Sequence, residues 1–166
     1  MTLIWTRVDS KLIHGQIAAA WVPHLQAEVI VVADADTAGD LMSQRIMRLG
    51  LPPEISQVHF HPPVGLAGFL VGPDLSEKRV LLIFKRLADV LAAVADGLAL
   101  KGLNLGNQLD QLSLDRGQRV AETFFASREE LEALTRLTRR GLAVIIQSLP
   151  TTPRGKWQPP EPGHAG

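Results

Sequence analysis

Glu28-Val29-Ile30-Val31-Val32-Ala33 is almost continuously apolar, is rich in β-branched residues and has strand length. A strand apolar on both faces is one covered by helices on both sides, which is the signature of a parallel sheet inside an α/β fold. Working outward, further strands read over 3–8, 56–61, 79–84, 103–105, 118–125 and 142–147. Helices read between them over 15–21 (stopped near Pro23), 37–49, 64–71 (weakened by Gly65 and Gly68), 87–98 and 127–140. The last opens on Ser127-Arg-Glu-Glu, a hydroxyl cap with a carboxylate three residues on, and closes at Gly141. Leu41, Met42, Ile46 and Leu49 form an approximate stripe on the second helix. Strand–helix alternation with short loops predicts a three-layer α/β fold: an open, mainly parallel sheet with helices on both faces. Residues 1–150 read as one domain. Residues 151–166 read as a Pro/Gly-rich tail, largely disordered from Pro159 onward, in which Trp157 is a candidate for docking on the body or on a partner.

Composition narrows the function. The 166 residues are 46% hydrophobic, and 17 Lys+Arg balance 17 Asp+Glu. Zero formal charge gives no electrostatic reason to expect nucleic acid as a partner, and it favours self-association into a homo-oligomer. There is no cysteine, which excludes disulfides, thiolate metal sites and thiol nucleophiles. The apolar runs are far shorter than the roughly 20 residues of a spanning helix, and the N-terminus lacks the pattern of a signal peptide. The cytoplasm is the expected location.

In a parallel sheet, chemistry gathers at the loops beyond the carboxyl ends of the strands. The first such loop is Arg7-Val8-Asp9-Ser10-Lys11-Leu12-Ile13-His14-Gly15-Gln16. It runs into a helix N-terminus, whose unpaired N–H groups at Gly15 and Gln16 suit a phosphoryl group. Lys11 adds a mobile positive charge, with Arg7 nearby. Gly15 leaves room for a ligand close to the backbone. A neutral imidazole at His14 is a competent nucleophile towards phosphorus, and Asp9 is placed to orient its ring. The same residues also fit a histidine that simply packs beside a solvated loop.

Asp34 and Asp36, Lys85 and Arg86, and Asn104, Gly106 and Asn107 end later strands at the same edge. They are candidates to line the phosphate and partner surface, with Asp36 as the cap of the following helix. His59 and His61 alternate on one strand face, but no third ligand follows at metal spacing. They and His24 read as surface residues, and Arg136, Arg139 and Arg140 as a solvated helix face. No metal or organic cofactor is implied. Neither a Walker loop nor Gly-x-Gly-x-x-Gly occurs, so nucleotide binding has no support.

The segment from Arg7 to Gln16 closely resembles the Arg-Ile-Asp-x-Arg-Leu-Ile-His-Gly-Gln signature of the IIB component of the mannose/fructose/sorbose family of the sugar phosphotransferase system. The resemblance continues through Trp21, Val31-Val-Ala-Asp34, Val80-Leu-Leu-Ile-Phe84 and Leu103-Asn-Leu-Gly106, covering roughly residues 3–149. It implies an open sheet of about seven strands. It also implies a phosphohistidine–sugar phosphotransferase activity. In that activity His14 accepts a phosphoryl group from phosphohistidine on a IIA component and passes it to a sugar entering through the IIC and IID membrane components. Three departures stand out: Lys11 where the family usually has arginine, Phe84-Lys-Arg-Leu87 where it usually has Phe-x-Asn-Pro, and Asn107 where a second glycine is commoner. They leave open an alternative of another class, a regulatory or binding protein of the same fold that signals by phosphorylation of His14 without feeding sugar transport.

Overall fold

The strands β1 (Thr2–Asp9), β2 (Val29–Ala33), β3 (Gln57–His61), β4 (Arg79–Phe84), β5 (Gly102–Asn107), β8 (Ala143–Ile146) and β9 (Gly155–Lys156) form one seven-stranded sheet of order β3-β2-β4-β1-β5-β8-β9 in a computed structural model that describes residues 1–159. All pairings among the first six are parallel, and β9 is antiparallel to β8. The expected three-layer α/β architecture is present. Along β2, Val29, Val31 and Ala33 belong to one core cluster and Ile30 and Val32 to the other, and β4 divides likewise, with Val80, Leu82 and Phe84 opposite Leu81 and Ile83. Each such side chain removed from water contributes about 1.5–3 kcal/mol, which is why the apolar run at β2 sits inside the sheet. One layer contains α4 (Leu66–Leu70), α5 (Leu87–Ala95) and α7 (Arg128–Arg139), and the other contains α1 (Val22–Leu25) and α3 (Leu41–Leu49).

Several local expectations are corrected. The first helical segment does not stop at Pro23: a π-helical turn, Ile17–Trp21, passes directly into α1. The Val22 N–H reaches back five residues to the Ile17 carbonyl, and Pro23 then sits at the start of the next turn, where its missing N–H costs little. The helix expected over 37–49 is two helices, α2 (Ala35–Gly39) and α3. Asp40 breaks it by accepting from the Met42 and Ser43 amides. The break rotates α3 so that Leu41, Met42, Ile46 and Leu49 face outward. The cap of α2 is Asp34, not Asp36: its carboxylate takes the Thr37 amide at 2.9 Å.

The strand expected over 118–125 is a hairpin, β6 (Gln118–Ala121) and β7 (Phe124–Ala126), apart from the main sheet. Before it lies an unforeseen helix, α6 (Gln111–Arg116), capped by Asp110 through the Ser113 amide and hydroxyl. Residues 151–157 are not a free tail. Gln147 Nε2 holds the carbonyls of Pro150 and Thr152, β9 extends the sheet, and Trp157 is 7% exposed within the core. An indole of that size removes enough apolar surface to hold a short segment in place. The stretch expected to be disordered begins at Pro159, and its residues 160–166 lie outside the described residues.

Candidate functional site

β1 occupies the middle of the sheet. The chain leaves its carboxyl end toward β2 on one side and leaves β5, its neighbour, toward β8 on the other. Connections that diverge in this way open a crevice between the two strand ends, and the 10–14 loop fills its rim.

Arg7 lies on the crevice wall, fully buried. All five of its N–H donors are used. Nε and Nη2 donate to Asp9 Oδ2 at 3.1 and 3.0 Å, Nη1 donates to Asn104 Oδ1 and to the Gln147 carbonyl, and Nη2 donates to the Ser148 carbonyl at 3.1 Å. Its guanidinium lies 5.1 Å from the Trp21 ring centroid, and Trp21 stacks on Trp5. Burial pulls its pKa below the ordinary value and the Asp9 carboxylate opposes that pull, so it stays a cation. The expectation that Arg7 meets phosphate or a partner is therefore corrected: no donor is left and no surface is exposed.

What Arg7 holds is Asp9, also fully buried. Asp9 Oδ1 accepts the Lys11 amide at 3.1 Å and its carbonyl accepts the Leu12 amide, folding the loop into a turn in which Leu12 adopts φ +55°. Asp9 Oδ2 takes a third donor, His14 Nε2, at 3.1 Å. The His14 side chain is 21% exposed. Lys11, Gly15 and Gln16 are exposed, and a Cβ at Gly15 would meet nothing within 4 Å, so the space there is open to a ligand.

The β5 side fastens this loop. The β1–β5 register skips Gly106, which bulges towards Arg7 so closely that a Cβ there would overlap the guanidinium carbon. Asn107 accepts the Ser10 hydroxyl at 2.7 Å and the Ser10 amide at 2.9 Å. Asn104, buried, also donates to the Gln147 carbonyl at 3.1 Å. Thus Asn104, Gly106 and Asn107 brace the site from behind. Sequence reading missed the Gln147–Ser148 carbonyls and Gln108, whose side chain joins the Leu87 amide to the Phe125 carbonyl. Backbone acceptors carry no sequence signature, so only the shared sheet edge pointed to them.

The remaining candidates are already partnered. Lys85 lies 3.7 Å from Asp34, and Arg86 3.3 Å from Asp110. His59 and His61 share one face as expected, but both rings pack against Phe69. Beside Lys85, half-buried Asp89 accepts the Arg86 amide, and burial reinforced by Asp34 pushes its pKa up to about 6. A carboxyl raised on folding favours the native state when protonated, so its ionisation costs stability as pH rises from the ordinary value through 6. Asp89→Asn keeps an acceptor for that amide. It is expected to stabilise the protein at pH 7.5 by about 1 kcal/mol, after discounting for solvent screening, and to leave pH 4 melting nearly unchanged.

Among the described residues, no helix is long and apolar enough to cross a membrane. Residues 3–160 match the family model described as the PTS system sorbose subfamily IIB component. The N-acetylgalactosamine-specific phosphotransferase enzyme IIB component 2 of Escherichia coli (strain K12) is 27% identical over 91% of this chain and 93% of its own length. The E. coli mannose-specific EIIAB component is 24% identical over 94% of this chain, which spans only 47% of that longer protein. The IIBSor domain of the sorbose permease from Klebsiella pneumoniae superposes with a TM-score of 0.82 at 20% identity, covering 94% of this chain and 93% of that one. Seven sheet-forming segments, a histidine loop on the sheet's central strand and a family match along nearly its whole length converge: the chain belongs to the sorbose-subfamily IIB components of the sugar phosphotransferase system.

Proposed function

We propose that the chain is a cytoplasmic phosphoryl carrier, with residues 1–150 and the strap to Trp157 as one unit, that takes a phosphoryl group from a phosphohistidine of a IIA component onto His14 and delivers it to a sugar at IIC and IID membrane components. The observation that carries this reading is the Asp9–His14 contact. Asp9 Oδ2 already faces the Arg7 guanidinium, so it accepts from His14, which fixes the proton on Nε2. The lone pair then sits on Nδ1, the nitrogen not engaged by Asp9. Nδ1 attacks the donor's phosphorus, a new N–P bond forms as the donor's N–P bond breaks, and the donor imidazole departs with its electron pair. The phosphorylated His14 ring keeps its Nε2 proton and carries positive charge, which Asp9 offsets. Positioning and charge supply the catalysis. The Gly15 and Gln16 amides at the start of the first helical segment face the incoming oxygens, and exposed Lys11 adds a cation. Lys85 and Arg86 sit at the same edge but each already faces an acid, so Lys11 is the better placed to steer the donor.

The direct test is phosphorylation by phospho-IIA followed by ring-nitrogen assignment by NMR. Phosphate on His14 Nδ1 is expected, whereas phosphate on Nε2 would overturn the role given to Asp9. A second expectation concerns that carboxylate. Asp9→Asn still offers Nε2 an oxygen but withdraws the charge that offsets the ring, so transfer from phospho-IIA is expected to slow by about 10²–10⁴-fold, by analogy with neutralising the carboxylate of a catalytic triad. A rate within threefold of the parent would remove Asp9 from the mechanism.

A further inference from the structure

On the face of the sheet away from α5 and α7, the core cluster that holds Trp21 and Val22 takes in Ile30 and Val32 of β2, Leu81 and Ile83 of β4 and Trp5 of β1, but no residue of β5 or β8. At the start of both strands, where β5 pairs with β8 but the registers with β1 and β9 do not yet reach, Gly102 and Ala143 are exposed, and Ile145 is half-buried. Gly102 and Ala143 are register partners, so bare backbone and one methyl group make a flat floor. The cavity above it measures about 630 Å³, within the range of small-molecule sites, and is walled by Ile4, Trp5 and Ile145.

Its charge is one-sided. Lys101 and Arg154 line it and no acidic residue does, and among the described residues neither cation forms an ion pair. Arg154 is placed rather than loose. Its guanidinium lies 5.5 Å from the Trp5 ring centroid, and the strap that carries it is held by Gln147 Nε2 through the Pro150 and Thr152 carbonyls. A cation fixed on an indole at the mouth of an apolar slot is a means of selecting an anion with an apolar body.

From this we infer a second binding site, for a small planar amphipathic anion whose apolar body lies on the Gly102–Ala143 floor and whose head meets Arg154 and Lys101. A free sugar phosphate fits less well. The floor itself, Gly102 and Ala143, offers no side-chain hydrogen-bonding group, and sugar hydroxyls laid on it would lose water without replacement. A carboxylate and a phosphate monoester share the required head group, so the source is a matter for experiment. Of the residues that brace the phosphoryl-transfer site only Asn104 also lines this cavity, and none of the residues varied below belongs to that site.

The probe is 8-anilinonaphthalene-1-sulfonate, titrated against the full chain by calorimetry, with backbone amide shifts recorded by NMR. One equivalent is expected to bind, with shifts centred on Gly102, Ala143 and Ile145. The Lys101→Ala/Arg154→Ala double variant is expected to weaken binding at least tenfold, with little change in the binding of neutral 1-anilinonaphthalene. Ala143→Phe should abolish binding by filling the floor, and Arg154→Glu should abolish it by repelling the head group while leaving the sheet unaltered. Displacement by 1-naphthoate points to a carboxylate source and displacement by 1-naphthyl phosphate to a phosphate source. The inference is overturned by no binding, by displacement with neither competitor, by shifts centred on the exposed α3 stripe, or by affinity indifferent to Arg154→Glu.

Discussion

His14→Ala is expected to accept no phosphoryl group from phospho-IIA while melting within about 2 °C of the parent. The two halves of that expectation have separate causes. Chemically, the substitution removes the only imidazole of the 10–14 loop, the group there that is largely unprotonated and nucleophilic near neutral pH without a further base. Structurally, the ring touches the rest of the site through one polar contact, Nε2 to Asp9. Asp9 Oδ2 keeps two donors from Arg7, and Oδ1 keeps the Lys11 amide, so no buried charge is orphaned. A partly exposed side chain of this kind typically changes stability by no more than about 0.5 kcal/mol. Labelling with phospho-IIA and a thermal melt of the same preparation check both halves. Labelling equal to the parent would refute the assignment and turn attention to His59 and His61.

The opposite pattern is expected at Gly106, where a single methyl group should unfold part of the site. An alanine Cβ would overlap Arg7 Cζ and both Nη atoms, and the guanidinium has nowhere to go, being closed in by Trp21, Asn104 and the Gln147 and Ser148 carbonyls. If Arg7 is expelled, Asp9 is left as a buried carboxylate without its counter-ion, a situation that costs about 3–5 kcal/mol. If it stays, the strands must part, which costs about 1–3 kcal/mol. A loss of about 4 kcal/mol corresponds to a melting temperature lower by roughly 10 °C for a domain of this size. Phosphorylation should fall with it, because Asp9 no longer has a fixed position from which to orient His14. A Gly106→Ala protein with the parent's melting temperature would show that the β5 bulge has slack that the structure does not display.

The architecture was legible because β2 and β4 are apolar on both faces, and because the Ser127 capping box marks a helix start by local chemistry alone. The histidine loop was legible for a similar reason: Asp9 and His14 lie five residues apart in one loop and meet across one turn, although the residues that fasten the loop come from β5. Arg7 was misread. Its sequence neighbours suggest an open phosphate site, but its burial is decided by Asn104 and Gly106 of β5 and by Gln147 and Ser148 just after β8, all far away in the chain. The apolar stripe of α3 was legible as a stripe but not its direction: Asp40 restarts the helix, and Leu41, Met42, Ile46 and Leu49 face outward. Residues 151–157 were legible in part: proline and glycine suggested a tail, but Trp157 stood out as a candidate to dock on the body, and its burial together with a two-residue strand holds the segment there.

That two-residue strand also bears on how the molecule coexists with its own copies. An open sheet has two edges, and each is a template for another chain's backbone. One edge is β9, only Gly155–Lys156, with a lysine on it and Pro159 close behind. The other is β3, five residues long and closed at once by Pro62 and Pro63, which donate no backbone hydrogen bond. With a formal charge of zero, mutual repulsion gives the chain little protection against stacking. Short edges ending in proline supply that protection by geometry, so lengthening β9 or removing the Pro62–Pro63 pair would open a route to fibres.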